Sequence, residues 1–155
     1  MDKKPAFFIV CEHTARWFAA LQAVRASTLG KPFAVRLRRA PSLEYCDRLL
    51  EEAPRSAVAL ETRRESLGDV LRWLAQRQRC FPEVRVAVLS SAELSQARSA
   101  FREAGASLVI DSQVQAAQLL EFASRHLGEV PAGEAEYVSQ LKTALPWGRF
   151  GSEPF

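Results

Sequence analysis

Apolar residues along this chain alternate between two periods. Short unbroken runs, Phe7-Phe8-Ile9-Val10-Cys11, Ala57-Val58-Ala59-Leu60, Arg85-Val86-Ala87-Val88-Leu89 and Leu108-Val109-Ile110, have the length and β-branching of strands covered on both faces. Between them the spacing changes to three and four, the mark of amphipathic helices. The stretch from Arg85 to Asp111 shows the unit most clearly. A strand is followed by helical spacing from Ser90 to Gly105, with Leu94, Ala97, Phe101 and Ala104 on one face; Gly105 stops it and a second strand begins. A strand–helix–strand unit of this kind pairs its strands in parallel through a right-handed crossover.

Taken in order, the same pattern predicts five strands and five helices. The first helix carries Trp17, Ala20, Leu21 and Val24 inward, and Gly30 and Pro32 break it. The second strand is read over Phe33–Leu37; being less apolar, it belongs at a sheet edge. Pro41 and Ser42 open the second helix, with Leu43, Cys46, Leu49, Leu50 and Ala53 inward. The third carries Leu67, Val70, Leu71 and Leu74, and the last Ala116, Leu119, Leu120, Ala123 and Leu127. Ser66, Ser90 and Ser112 each precede Asp69, Glu93 and Gln115 by three residues, the spacing of a capping box. The expected architecture is α/β, three layers around a five-stranded parallel sheet. This domain covers residues 1–128. Residues 129–155 form a C-terminal extension, with a short helix from Glu134 to Ala144 and an irregular tail rich in Pro, Gly and aromatics.

The 155 residues suit one domain. No apolar stretch approaches a membrane span, and Ala6–Cys11 is too short for a secretory core, so the expected location is cytoplasmic. The net charge of +3 comes mostly from Arg. The densest clusters, Arg36, Arg38 and Arg39, then Arg63 and Arg64, lack the aromatic interleaving of a nucleic-acid surface and read as solvated strand ends. Cys11, Cys46 and Cys80 have no C-x-x-C spacing, which excludes the usual zinc and dithiol motifs. Cys11 and Cys46 are expected as buried free thiols, with Cys80 more exposed.

In an open parallel sheet, ligands bind beyond the carboxyl ends of the strands. Those ends carry Glu12 and His13, Glu61 and Thr62, Ser90 and Ser91, and Asp111 and Ser112. No glycine-rich phosphate loop follows the first strand, so the common nucleotide-binding modes are excluded. Convergence of Glu12, Glu61 and Asp111 would give three carboxylates able to hold a hard cation such as Mg2+, with His13 beside them for acid–base work. The plainer alternative is a solvated rim with no cofactor. A nucleophilic Cys11–His13 pair is weaker, since no oxyanion site accompanies it.

Five βα units of this size, with VRVAVLSSAELSQARSAFREAGASLVIDS spanning the fourth and fifth strands, resemble the receiver domain of bacterial response regulators over about Pro5 to Gly128. The resemblance implies the strand order 2-1-3-4-5 and a site at the strand ends. An acidic pair that holds magnesium after the first strand matches Cys11 and Glu12, so half of it is lost. The phospho-accepting Asp matches Glu61, whose longer arm places its carboxylate differently. The hydroxyl that senses the phosphoryl group matches Ser90 and is kept in type. The Lys-Pro after the fifth strand matches Ser112-Gln113, and the aromatic switch falls near Val109; both are lost. Phosphotransfer needs the nucleophile, the cation and the counter-charge together. The resemblance therefore implies a pseudo-receiver, non-enzymatic, acting through a protein partner or as a homodimer. Aromatic contact candidates are Trp17 and Phe18, which are adjacent on one helix and cannot both face inward, Trp73, which lies off its helix's apolar stripe and is equally expected partly buried under a loop, and Trp147 and Phe150 in the tail. The alternative is a small flavodoxin-like ligand-binding protein or enzyme using Glu12, His13, Glu61 and Asp111. A DNA-binding regulator would need an output domain, for which the residues after Gly128 are too few.

Overall fold

The computed structural model describes residues 5–27 and 36–127. Five strands form one parallel sheet, as the pattern predicts, in the order β2-β1-β3-β4-β5 that the resemblance implies. They are β1 (Phe7–Cys11), β2 (Arg36–Ala40), β3 (Ala57–Glu61), β4 (Arg85–Leu89) and β5 (Leu108–Ile110). The helices are α1 (Arg16–Ser27), α2 (Leu43–Glu52), α3 (Leu67–Cys80), α4 (Arg98–Ala104) and α5 (Ala116–His126).

Strand side chains alternate between the two faces, and this splits the core in two. Phe7, Ile9, Cys11, Val58 and Leu60 meet Cys46, Leu49, Leu50, Val70, Leu74 and Phe101 of α2, α3 and α4. Phe8, Val10, Ala57 and Ala59 meet Trp17, Leu21, Leu119, Leu120 and Ala123 of α1 and α5. Cys11 and Cys46 are buried and Cys80 is exposed, as expected.

Three local expectations are corrected. The second strand lies at the edge, but it runs Arg36–Ala40 rather than Phe33–Leu37; Phe33 to Val35 lie outside the described residues. Apolarity is a poor guide to an edge strand with one solvated side. Here Arg36 and Arg38 face out, with the Arg38 guanidinium 5.2 Å from the centre of the Phe7 ring.

The helix read as continuous from Ser90 is two pieces. A 3-10 segment, Ala92–Ala97, has non-helical backbone at Leu94 (φ −101°, ψ 18°), and α4 starts only at Arg98. Three residues per turn line Leu94 up with Ala97, and Leu94 is buried. Gly105 ends α4 as expected. Its φ of 121° is one that L side chains avoid, and a Cβ there would collide with the Gln78 side chain.

The three capping boxes do not form. Shorter 3-10 turns at Arg64–Ser66, Ala92–Ala97 and Gln113–Gln115 precede α3, α4 and α5 and move each helix start along the chain. The Ser66 hydroxyl instead accepts from the Arg63 N–H at 3.0 Å and donates to the Arg63 carbonyl at 3.2 Å. Ser42 does cap α2, accepting from the Tyr45 N–H at 3.2 Å. The C-terminal extension, including Trp147 and Phe150, lies outside the described residues.

Candidate functional site at the strand ends

Parallel strands end together, so the turns after β3, β4 and β5 share one rim. They line a cavity of about 660 Å³, closed on one side by Arg16 and Trp17 of α1. Of the expected site residues, Glu61, Ser90, Asp111 and Ser112 all line it; Cys11, Glu12 and His13 do not.

Glu12 is the main correction. It was expected at the rim as a candidate cation ligand, yet it is only 2% exposed. Its Oε2 accepts the Trp17 N–H at 2.9 Å and its Oε1 accepts the Phe18 N–H at 2.8 Å. Both oxygens thus satisfy donors in the first turn of α1, where free N–H groups and the positive end of the helix dipole favour a carboxylate. Cys11, with its thiol in the α2-side core, and the exposed His13 do not form a catalytic pair. The backbone carbonyl of His13 accepts from Arg39 Nη2 at 3.1 Å.

Glu61 ends β3, and its Oε1 accepts from Arg63 Nε at 3.1 Å. Thr62 follows, 3% exposed; its N–H donates to the Leu89 carbonyl at 2.8 Å, while Oγ1 has no hydrogen-bond partner. Ser90 is tied by its backbone N–H to the Ile110 carbonyl at 2.6 Å, and its hydroxyl donates to the Ser91 carbonyl at 3.4 Å. After β5 come Asp111, exposed, and Ser112, whose hydroxyl accepts from the Val114 N–H at 3.3 Å. Neither residue carries a positive charge. Across the mouth, with its amide oxygen turned to the guanidinium, Gln113 accepts from Arg16 Nε at 3.1 Å and Nη2 at 3.2 Å. Sequence reasoning missed Arg16 and Gln113 as members of this rim and read Arg63 as a solvated strand end. The only available signal was that each stands within three residues of a strand end or at a helix start.

The cavity wall thus mixes Arg16, Arg63 and Arg64 with Glu61, Glu65, Glu93 and Asp111. Among the described residues, no three His, Cys, Asp or Glu side chains form a group able to hold a metal ion. The residues present therefore do not fit the magnesium site that the receiver resemblance implies, because one acid is spent on a helix and another on a guanidinium.

The aromatic candidates are also placed. Trp17 is buried between α1 and the sheet, and Phe18 packs partly buried against the same cluster, so both lie toward the core. Trp73 is 4% exposed, with its indole N–H donating to Asp47 Oδ1 at 2.9 Å. An off-stripe position on α3 therefore faces α2, not solvent. The large apolar side chains that are exposed among the described residues are Tyr45 and Val114, neither singled out from the sequence.

No protein-family model matches the sequence, and no curated protein sequence does. Solved structures do match in fold. A response regulator from Thermotoga maritima superposes with a TM-score of 0.65 at 17% identity, covering 82% of this chain and 100% of that one. A CheY-like protein (TadZ) from Pseudomonas aeruginosa PAO1 gives 0.61 at 20% identity, covering 79% and 99%. At this identity the likeness establishes the fold, a CheY-like doubly wound α/β domain.

Proposed function

We propose that this chain is a regulatory module on a receiver scaffold that has lost phosphotransfer and acts through contact with another protein. The observation that carries the reading is the engagement of the strand-end acids. Glu12 is buried as a helix cap, and Glu61 shares its carboxylate with Arg63. A phosphoryl acceptor needs a free, metal-activated oxygen opposite a fixed cation. The turn after β5 supplies an acid and a hydroxyl instead. The fold likeness to response regulators supports the regulatory half of the reading.

The test is incubation of the full chain with acetyl phosphate and Mg2+, read by intact mass. The expected result is no phosphoryl adduct; an adduct mapping to Glu61 or Asp111 overturns the proposal. The partner is a second copy of the chain or a different protein, which light scattering of the full chain distinguishes. The reading as a small enzyme loses two of its four residues, since Glu12 is buried and His13 lies off the cavity.

A further inference from the structure

We infer that the strand-end site supplies its own counter-charge, with the Arg63 guanidinium on Glu61 in the role a divalent cation would otherwise fill. The inference rests on the receiver-like reading and adds how the site is regulated: its charge is set from within, independently of cations in solution.

Two carboxylates belong to the sheet end at β1 and β3, and each has a positive partner from its own chain. Glu12 lies two per cent exposed with both oxygens on N–H groups of α1. Its partner is the partial positive charge of a 12-residue helix, which is not exchangeable with solvent ions. Glu61 has an 11% exposed side chain, and its Oε1 takes the Arg63 Nε at 3.1 Å. Arg63 is held in turn, because its backbone N–H and carbonyl are both hydrogen-bonded to the Ser66 hydroxyl. The turn fixes the backbone from which the half-exposed Arg63 side chain reaches Glu61. Mg2+ demands a near-octahedral oxygen shell and sheds water reluctantly. To bind here it would have to displace the guanidinium from Glu61 and draw Glu12 out of a buried cap.

The experiment is a Mn2+ titration of the 15N-labelled full chain, read as loss of amide signal by paramagnetic broadening. Exposed Glu52 and Glu103 serve as reference carboxylates. In the wild type, the amides of Glu61, Thr62 and Asp111 should lose no more intensity than those beside the references. In Arg63→Gln the freed Glu61 should draw Mn2+, and its neighbours should lose signal ahead of the references. Arg63→Lys, which keeps a cation, should behave as wild type and shows that the effect follows charge, not a disturbed fold. Selective, saturable loss at Glu61 in the wild type overturns the inference, as does an Arg63→Gln spectrum that responds like the wild type. A chain that binds Mn2+ there yet takes no phosphoryl group sinks this inference alone, whereas an adduct from acetyl phosphate sinks the reading beneath it.

Discussion

Glu12 Oε2 accepts the backbone N–H of Trp17 at 2.9 Å, five residues further on. The chain leaves β1, turns, and lays its own first acid across the start of α1. The cap also anchors Trp17, which fills the core between α1 and α5. Glu12→Ala removes two buried, charge-assisted bonds and should destabilise the fold by about 2–4 kcal/mol in urea unfolding. Glu12→Gln keeps an acceptor but loses the charge, and should cost roughly half as much. A Glu12→Ala variant as stable as wild type would show that the cap does not hold α1.

Asp47 joins α2 to α3. It accepts from the Trp73 indole at 2.9 Å and from Arg77 Nη2 at 2.7 Å, and Arg77 Nε lies 2.6 Å from its Oδ1. Asp47→Ala leaves a buried indole N–H and a mostly buried guanidinium without their acceptor, at a cost of about 2–3 kcal/mol. Trp73→Phe removes one bond and leaves the ion pair, so about 1–2 kcal/mol is expected. Thermal or urea unfolding of both variants checks the order; Trp73→Phe costing more than Asp47→Ala contradicts it.

His126, at the end of α5, has its pKa lowered from 6.5, first by burial and next by the Arg85 guanidinium, with Arg55 adding to the effect. The backbone carbonyls of Glu83 and Arg55 pull the other way. The folded state therefore binds this proton less readily than the unfolded chain, which takes it at the ordinary value. Stability from this group is complete above pH 6.5 and is lost as pH falls below it, levelling off under the folded pKa. His126→Asn should flatten the unfolding free energy across that window.

Of the three thiols, Cys80 alone is exposed. Cys46 is pushed well above the ordinary thiol range, chiefly by its hydrogen bond with Cys11 and by burial. A disulfide reagent should therefore titrate one thiol per native chain and three after unfolding. Fast native labelling in a Cys80→Ser variant would contradict the buried pair.

Much of the framework was legible because two-sided burial leaves a mark that one-sided burial does not. β1, β3 and β4 are covered on both faces and read as unbroken apolar runs. α2 and α5 bury one stripe each and read at helical spacing. β2 was misplaced because an edge strand needs no such run. Trp73 was misread because a helical stripe describes one packing surface, whereas α3 meets both the sheet and α2.

The sequence by itself determined the strand count and the parallel pairing, since both follow from short-range periodicity and the right-handed strand–helix–strand crossover, while the strand order came from the resemblance. Only the tertiary structure decided what the acids at the strand ends do. A carboxylate's role depends on which donor reaches it first. For Glu12 that donor is a helix start, and for Glu61 it is the guanidinium of a turn, and neither leaves a periodic trace in the chain.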